Sequence, residues 1–481
     1  PASPGTEPTG LASGAKGKNA RITRIAFLDF CGDVNYKLQE RNKLFVTHLI
    51  PTRVRWRIVL VLAIVAGVTY IDRLNLGIVA KFILEEYKFS TQSMGWILGA
   101  FSLGYAIFHV PGGWLADRYG PGRVLAGAIL WFSVFTALTA VASSLPILNL
   151  LGPVWAFAIV RFTMGLGEAA ALPVGNKLMA YWLGEQELAF GTSIFLAGVG
   201  AGGVIAPFFI SWLIRHWGWR ASFFVSGAIG TVLAIVCYTY VTSRPEDHLH
   251  VNAAELALIH GPAKSKKNGA SLSTKVPWRK ILATRSIWAL MISHFCLVYP
   301  VYIFFTWFFV YLMKVRGITI TKASFWASAP FVANVFMVPL WGWLSDRAVE
   351  KLGKRMGRRS SAWLAIAGSA LLLWSGSQTV NNTLALLQLA IAAGFNFAAS
   401  AVLWTTCNDI SAKFSGSISG TMSTFGSLGG WVSPVLTGYV AAKFGWVPAL
   451  NLAAAITIVS GLAWFFIDAE QRITSADPVA P

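Results

Sequence analysis

The sequence predicts an all-α integral membrane protein with twelve transmembrane helices in two pseudo-symmetric six-helix bundles. Of its 481 residues 55% are hydrophobic and 12% charged, with a mean hydropathy of +0.60. That charged fraction is about half that of a soluble domain. The apolar residues fall in long runs along the whole chain, such as 58–68, 223–238 and 362–374, and a spanning helix needs roughly 20 residues. The chain also echoes itself. Gly113-Trp114-Leu115-Ala116-Asp117-Arg118 returns as Gly342-Trp343-Leu344-Ser345-Asp346-Arg347, and Gly191-Thr192 returns as Gly420-Thr421. Ala206-Pro207 returns as Ser433-Pro434, and Gly218-Trp219 as Gly445-Trp446. Every offset lies at 227–229 residues, the register of a duplicated half.

In chain order, residues 1–55 are polar, contain Gly, Pro and Ser, and read as a disordered cytoplasmic tail without a continuous apolar core of signal-peptide type. Residues 56–242 form the first bundle, with spans expected near 57–83, 92–116, 121–143, 151–182, 188–214 and 220–242. The stretch 243–285, rich in Lys, Ser, Gly and Pro, is too polar to span and reads as a cytoplasmic loop between the halves. Residues 286–468 form the second bundle, with spans near 286–313, 322–345, 359–377, 382–407, 416–442 and 446–468. Residues 469–481 are a cytoplasmic tail.

The formal charge of +19 is placed by topology. Basic residues gather in the tail (Arg53, Arg55 and Arg57 among them), in the central loop (Lys264, Lys266, Lys267) and in the later loop (Lys354, Arg355, Arg358, Arg359). The alternate loops 143–149 and 378–383 carry none. This positive-inside pattern puts both termini in the cytoplasm. No basic stretch is interleaved with aromatics in a soluble module, so nucleic acid is excluded as a partner; the partner is the lipid bilayer. The four cysteines show no metal-ligand spacing, and no metal or organic cofactor is expected. Cys237, Cys296 and Cys407 read as apolar packing. Neither a nucleotide-binding strand–turn–helix nor an ATPase domain is visible, which argues against an enzyme and against primary active transport.

Asp72 and Arg73 stand side by side inside an apolar segment, and Arg161 and Glu168 lie inside another. A charge at the bilayer centre costs on the order of 3 kcal/mol, so these four mark a pathway for a charged solute. Arg161 and Glu168, seven residues apart, share a helix face about 10 Å apart along the axis. Tyr70 with Arg73, and Asp72 with Asn75, share faces at i,i+3. Gly165, Gly167, Ala169, Ala170 and Ala171 allow close packing of that fourth helix.

The segment 113–123, Gly-Trp-Leu-Ala-Asp-Arg-Tyr-Gly-Pro-Gly-Arg, resembles the cytoplasmic loop signature of the major facilitator superfamily. Its glycines permit a tight turn, Asp117 can face the positive end of a neighbouring helix, and Arg118 and Arg123 are cytoplasmic anchors. Gly113, Asp117, Arg118 and Arg123 are therefore expected to form a conformational latch. Tyr70-Ile71-Asp72-Arg73, Tyr105 ahead of His109-Val110-Pro111-Gly112-Gly113, and the run 161–169 are similar to the anion:cation symporter family, as are Gly218-Trp219-Arg220 and 307–312. The resemblance covers about residues 55–470. It implies the twelve-helix facilitator fold, organic-anion substrates such as galactonate, glucarate and hexuronates, and proton drive in the plasma (bacterial inner) membrane.

The charge sum agrees. Asp72, Arg73, Arg161 and Glu168 total zero with both acids ionised, +1 with one protonated and +2 with both. Burial disfavours a charged carboxyl and a nearby arginine favours it, so proton and anion make each other's binding favourable. The expected roles are Asp72 and Glu168 as proton carriers, Arg73 as the bidentate carboxylate ligand, and Arg161 setting Glu168 or touching substrate. Tyr70, Tyr105, Ser400, Trp404, Thr405, Ser423 and Ser427 are expected to complete the pocket. Ser423 and Ser427 stand where many relatives carry asparagine, and Gly198 where some carry a polar side chain, so the departures bear on substrate choice. His109 and His294 read as hydrogen-bonded packing histidines, Lys177 as a snorkelling lysine, and Asn408-Asp409 as a helix end. The expectation is a monomeric proton-coupled symporter of a small organic anion, a sugar acid, working by alternating access. The alternatives are transport of phosphate or another carboxylate, including efflux, and a solute-sensing receptor that does not transport.

Overall fold

In the computed structural model, residues 50–146, 150–267, 278–411 and 414–471 are described. The disordered tail expected over 1–55 lies outside them except for its last six residues, and most of the C-terminal tail lies outside them too. The first half holds α1 (Val54–Glu86), α2 (Thr91–Tyr119), α3 (Pro121–Thr139), α4 (Pro153–Trp182), α5 (Glu185–Trp217) and α6 (Trp219–Tyr240). The second half begins with α7 (Arg285–Thr306), followed by one 59-residue helix, Ile320–Gln378, whose backbone turns at Gly353 with φ +77°. Its two arms are α8 (320–352) and α9 (354–378). Then come α10 (Asn382–Ile410), α11 (Ser415–Phe444) and α12 (Trp446–Ala463).

Among the described residues ten helices are long and apolar enough to cross a membrane. The helix kinked at Gly353 provides two passes, and the 30-residue, Gly- and Ser-rich α11 completes twelve. The sequence repeat is visible in the backbone: α5 ends at Gly218 (φ +79°) with α6 starting at Trp219, and α11 ends at Gly445 (φ +92°) with α12 starting at Trp446. A Cβ is disfavoured in that conformation, so the paired glycines are a turn requirement.

Two stretches differ from expectation. The loop expected between spans at 345 and 359 is helical apart from Gly353, because Ala348, Glu350, Lys351 and Leu352 are good helix formers. The fourth span is broken: Pro153–Glu168 and Ala171–Trp182 are separate helical segments joined by a tight turn at 169–170. Irregular backbone at membrane depth is tolerated where it is buried in protein or lines a cavity, and the break follows directly after Glu168.

The described contacts between the halves gather at the end of the molecule away from the 113–123 loop. Gly95 and Gly99 on α2 sit against the backbone of Pro434 and Trp431 on α11. On α5 and α8, Ser324 Oγ donates to Ser211 Oγ (2.7 Å), Ser328 Oγ to the Val204 carbonyl (2.8 Å) and Arg215 Nη1 to Thr321 Oγ1 (3.3 Å). Gly77 of α1 lies against the backbone of Phe305 and Thr306. Toward the other end, exposure along one face of α10 grows from Phe397 and Ala401 to Trp404 and Asn408. The halves close at one end and part toward the other.

The described parts of the central stretch 243–285 are more structured than a loop. A helix, Ala253–Lys267, brings the fully buried Glu255 to the start of α1. Its Oε1 accepts from the Arg55 amide and Arg55 Nη1, both at 3.0 Å, and its Oε2 from Thr52 Oγ1 (2.6 Å) and the Val54 amide (3.2 Å). Arg55 also binds Glu187 at the start of α5 (2.8 Å). The first amides of a helix have no intrahelical partner, and here the connecting segment supplies one. Glu255→Ala leaves Arg55 Nη1 and two amides without their acceptor while Glu187 keeps the rest of the guanidinium, so we expect a loss of about 2 kcal/mol. It is read as a lowered thermal unfolding temperature in detergent; unchanged unfolding refutes the cap.

Candidate functional site

Asp72 and Arg73 lie midway along α1, Arg161 and Glu168 on the first segment of α4, and α4 approaches α2 through Gly165 and Gly104, which face the backbone of Phe101 and Phe162. All four charges are brought together, with an ion pair between α1 and α4. Arg73 reaches across to α4: its Nε and Nη2 both donate to Glu168 Oε1, at 3.1 and 2.7 Å. Asp72 does not pair with Arg73, nor Arg161 with Glu168. Successive helix residues point about 100° apart, so Arg73 faces α4 while Asp72 faces α6. There Ser226 is its polar neighbour, at a geometry short of a hydrogen bond. Arg161 Nη1 donates to Met164 Sδ (2.9 Å), and the guanidinium lies within Coulombic reach of both Asp72 and Glu168.

Hydrogen-bonding capacity at the cluster is left open. Both Asp72 oxygens, Glu168 Oε2 and Arg161 Nε are buried without a hydrogen-bond partner; Asp72 and Glu168 are 0% exposed and Arg161 2%. An unmet buried polar group costs about 1–3 kcal/mol, more when charged. The site is therefore built to gain from a proton or a further hydrogen-bonding group.

Aromatic rings wall the arginines. The Arg73 guanidinium lies 5.1 Å from the Tyr70 ring, 4.9 Å from Tyr105 and 5.3 Å from Phe101, and Arg161 lies 5.2 Å from Phe101. Tyr70 and Tyr105, expected in the pocket, both lie beside Arg73. Such contacts favour the cation without neutralising it. Phe101, Met164 and, from the second half, Tyr302 and Phe305 were missed. Tyr302 interacts electrostatically with Arg73, and Phe305 packs edge-on against Tyr70 at 6.0 Å. Their signal was the ring-rich run 299–311 around Pro300, which by itself reads as packing.

The second-half candidates do not reach the charge cluster through any described contact. Thr405 Oγ1 donates to the Ala401 carbonyl and Ser427 Oγ to that of Ser423, both at 3.0 Å, so their own helices satisfy them. Ser400 is half-buried. Trp404 is 43% exposed, with its ring 5.8 Å from that of His294. His294 was expected to be hydrogen-bonded, yet both its ring nitrogens are buried without partners; His109 Nδ1 is unpartnered too.

At the 113–123 loop, Asp117 pairs with Lys177 of α4 rather than with a helix end, and Lys177 thereby does not merely snorkel. Arg118 lies between Trp114 (5.4 Å) and Tyr119 (5.5 Å), Gly113 faces open space, and Arg123 is exposed on α3. The echo in the second half is stronger: Arg358 binds Asp346 (2.8 Å) and Asp409 (2.9 Å). Asp409 was expected only to end a helix; it holds α9 to α10. Cys237, Cys296 and Cys407 are buried and free.

Residues 62–434 match the Major Facilitator Superfamily, and the chain belongs to it. It is a multi-pass membrane transporter rather than an enzyme. Among curated relatives, it is 30% identical over 433 residues to the Probable sulfoacetate transporter SauU of Cupriavidus necator, covering 89% of this chain and 97% of that one. It is 29% identical to the Probable galactarate/D-glucarate transporter GudP of Escherichia coli K12 (89% and 96% covered). To the D-galactonate transporter of Escherichia coli O6:H1 it is 27% identical (87% and 96% covered). These three relatives are named as transporters of small organic anions. In fold it is similar to a bacterial homolog of the human lysosomal transporter Spinster in an inward-facing, occupied conformation. That likeness has a TM-score of 0.72 at 17% identity, covering 88% of this chain and all of that one. A D-xylose-proton symporter aligns at TM-score 0.66 and 16% identity (87% and 99% covered).

Proposed function

We propose that the protein is a proton-coupled symporter of a small carboxylate-bearing organic anion, a sugar acid, and that Arg73 changes partners during the cycle. The observation that carries this reading is the Arg73–Glu168 ion pair, set beside an unpartnered Asp72. While Glu168 is ionised it occupies the Arg73 fork. Protonating Glu168 releases that fork, and a substrate carboxylate matches guanidinium geometry. Proton and anion then bind together because each removes an obstacle to the other. Arg161 supplies a second cation, Tyr70 and Tyr105 flank the guanidinium, and Asp72 takes a further proton. The relatives that carry galactarate, glucarate, galactonate and sulfoacetate support an anionic substrate.

The protein cycles by alternating access in the plasma membrane with both termini cytoplasmic. The 113–123 loop lies at the cytoplasmic end, so the described conformation opens inward. The Asp117–Lys177 pair and its second-half echo around Arg358 hold the ends of their own halves as these move. The coupling ion is the proton, with no other cofactor, and the unit is a monomer.

One proton with a monoanion moves no net charge, so the driving force is the pH gradient; about 1.7 pH units are worth about 2.3 kcal/mol, enough to concentrate the anion roughly fiftyfold. Proteoliposomes given an inward proton gradient are expected to accumulate D-galactonate, D-glucarate or sulfoacetate and to lose the accumulation when a protonophore is added. Accumulation that follows a sodium gradient instead, or of phosphate alone, refutes the reading. Substrate binding without accumulation favours a receptor.

A further inference from the structure

His294 lies on α7, is 7% exposed, and presents two buried ring nitrogens without partners. Its position is specified. A Cβ at Gly426 of α11 would lie 2.7 Å from His294 Nδ1, so that glycine makes the space the ring occupies. One turn on, Gly430 does the same for Tyr302, where a Cβ would lie 2.7 Å from the ring. The two rings therefore line one α7–α11 seam, whose glycines are about 6 Å apart along α11. Tyr302 is the end of that seam toward Arg73, connected through Phe305 to Tyr70. At the other end the His294 ring meets Trp404, 43% exposed on the face of α10 that opens toward the 113–123 loop.

We propose that His294 contacts the substrate and sets its specificity, hydrogen-bonding a hydroxyl or second acidic group at the far end of an anion whose carboxylate is held by Arg73. This rests on the proposed function and extends it to a substrate class: hydroxylated chains of several carbons, aldonates and aldarates, over short unsubstituted carboxylates. A neutral imidazole offers one donor and one acceptor, which suits a hydroxyl. The second-half hydroxyls of Thr405 and Ser427 donate within their own helices; His294 has capacity to spare, as does the buried amide of Asn396 on α10, and of the two it is His294 whose ring meets Trp404. Discrimination by a buried hydrogen-bonding group exceeds what an apolar pocket achieves, because the wrong ligand leaves that group unpaired.

The test is equilibrium binding of D-galactonate and D-glucarate to the purified full chain. His294→Phe keeps a ring against Trp404 and removes both nitrogens; His294→Gln restores a donor and an acceptor. We expect His294→Phe to weaken both ligands about tenfold or more, and His294→Gln to stay within about threefold of wild type, at similar thermal unfolding temperatures. Wild-type affinity in His294→Phe overturns the assignment, as does an equal loss in both variants. Arg73→Ala separates the two levels: if it abolishes binding while His294→Phe does not weaken it, the anion site stands and the His294 role falls. If the wild type binds neither ligand, or binding survives Arg73→Ala, the proposed function falls and takes this inference with it.

Discussion

Arg73→Lys lowers substrate affinity by about 10- to 100-fold, the worth of a charge-assisted hydrogen bond at roughly 1.5–3 kcal/mol. The charge is conserved, so the loss isolates geometry. In the wild type Nε and Nη2 converge on one oxygen of Glu168, and a planar fork can transfer both donors to a substrate carboxylate. An ammonium offers no such fork and is more strongly hydrated. The lysine also forfeits the planar stacking against Tyr70, Phe101 and Tyr105. Binding measured calorimetrically on purified protein checks this. Unchanged affinity places the anion site elsewhere.

Glu168→Gln abolishes proton-driven accumulation, taking a roughly fiftyfold gradient to about unity, while substrate exchange across the membrane survives. The amide imitates the protonated acid: Arg73 stays available to the anion, and no proton is needed to free it. Binding then loses its dependence on pH, which is the signature separating this outcome from simple damage. Asp72→Asn is expected to lose accumulation as well, with the Arg73–Glu168 pair intact and the pH dependence of binding retained. Full accumulation in Glu168→Gln removes Glu168 from the proton path.

Much of this was legible in the sequence. Hydropathy and the 227–229 offset specify two bundles, because bilayer thickness dictates helix length and a duplicated half repeats its turns. Gly218 and Gly445 are readable for the same reason: a left-handed turn admits few residue types. The four charges were legible as a set because each is costly in an apolar span. Their partners were not. Periodicity gives the face of one helix but not which neighbouring helix that face meets, so nothing in the sequence paired Arg73 with Glu168. The same blindness hid Glu255, a carboxylate 200 residues from the amides it caps, inside a stretch whose composition read as loop.

The sequence by itself determined that this is a twelve-helix membrane transporter with acid and base at bilayer depth, since solvent and chirality act on every residue wherever it packs. Tertiary structure alone decided which charges touch. It set Arg73 against Glu168, left Asp72 without a partner, and placed the His294 ring in the space left by Gly426. Those outcomes depend on how closely helices approach, on the absence of a Cβ at Gly104, Gly165 and Gly426, and on the direction each side chain takes from its helix. None of these quantities is local to the chain.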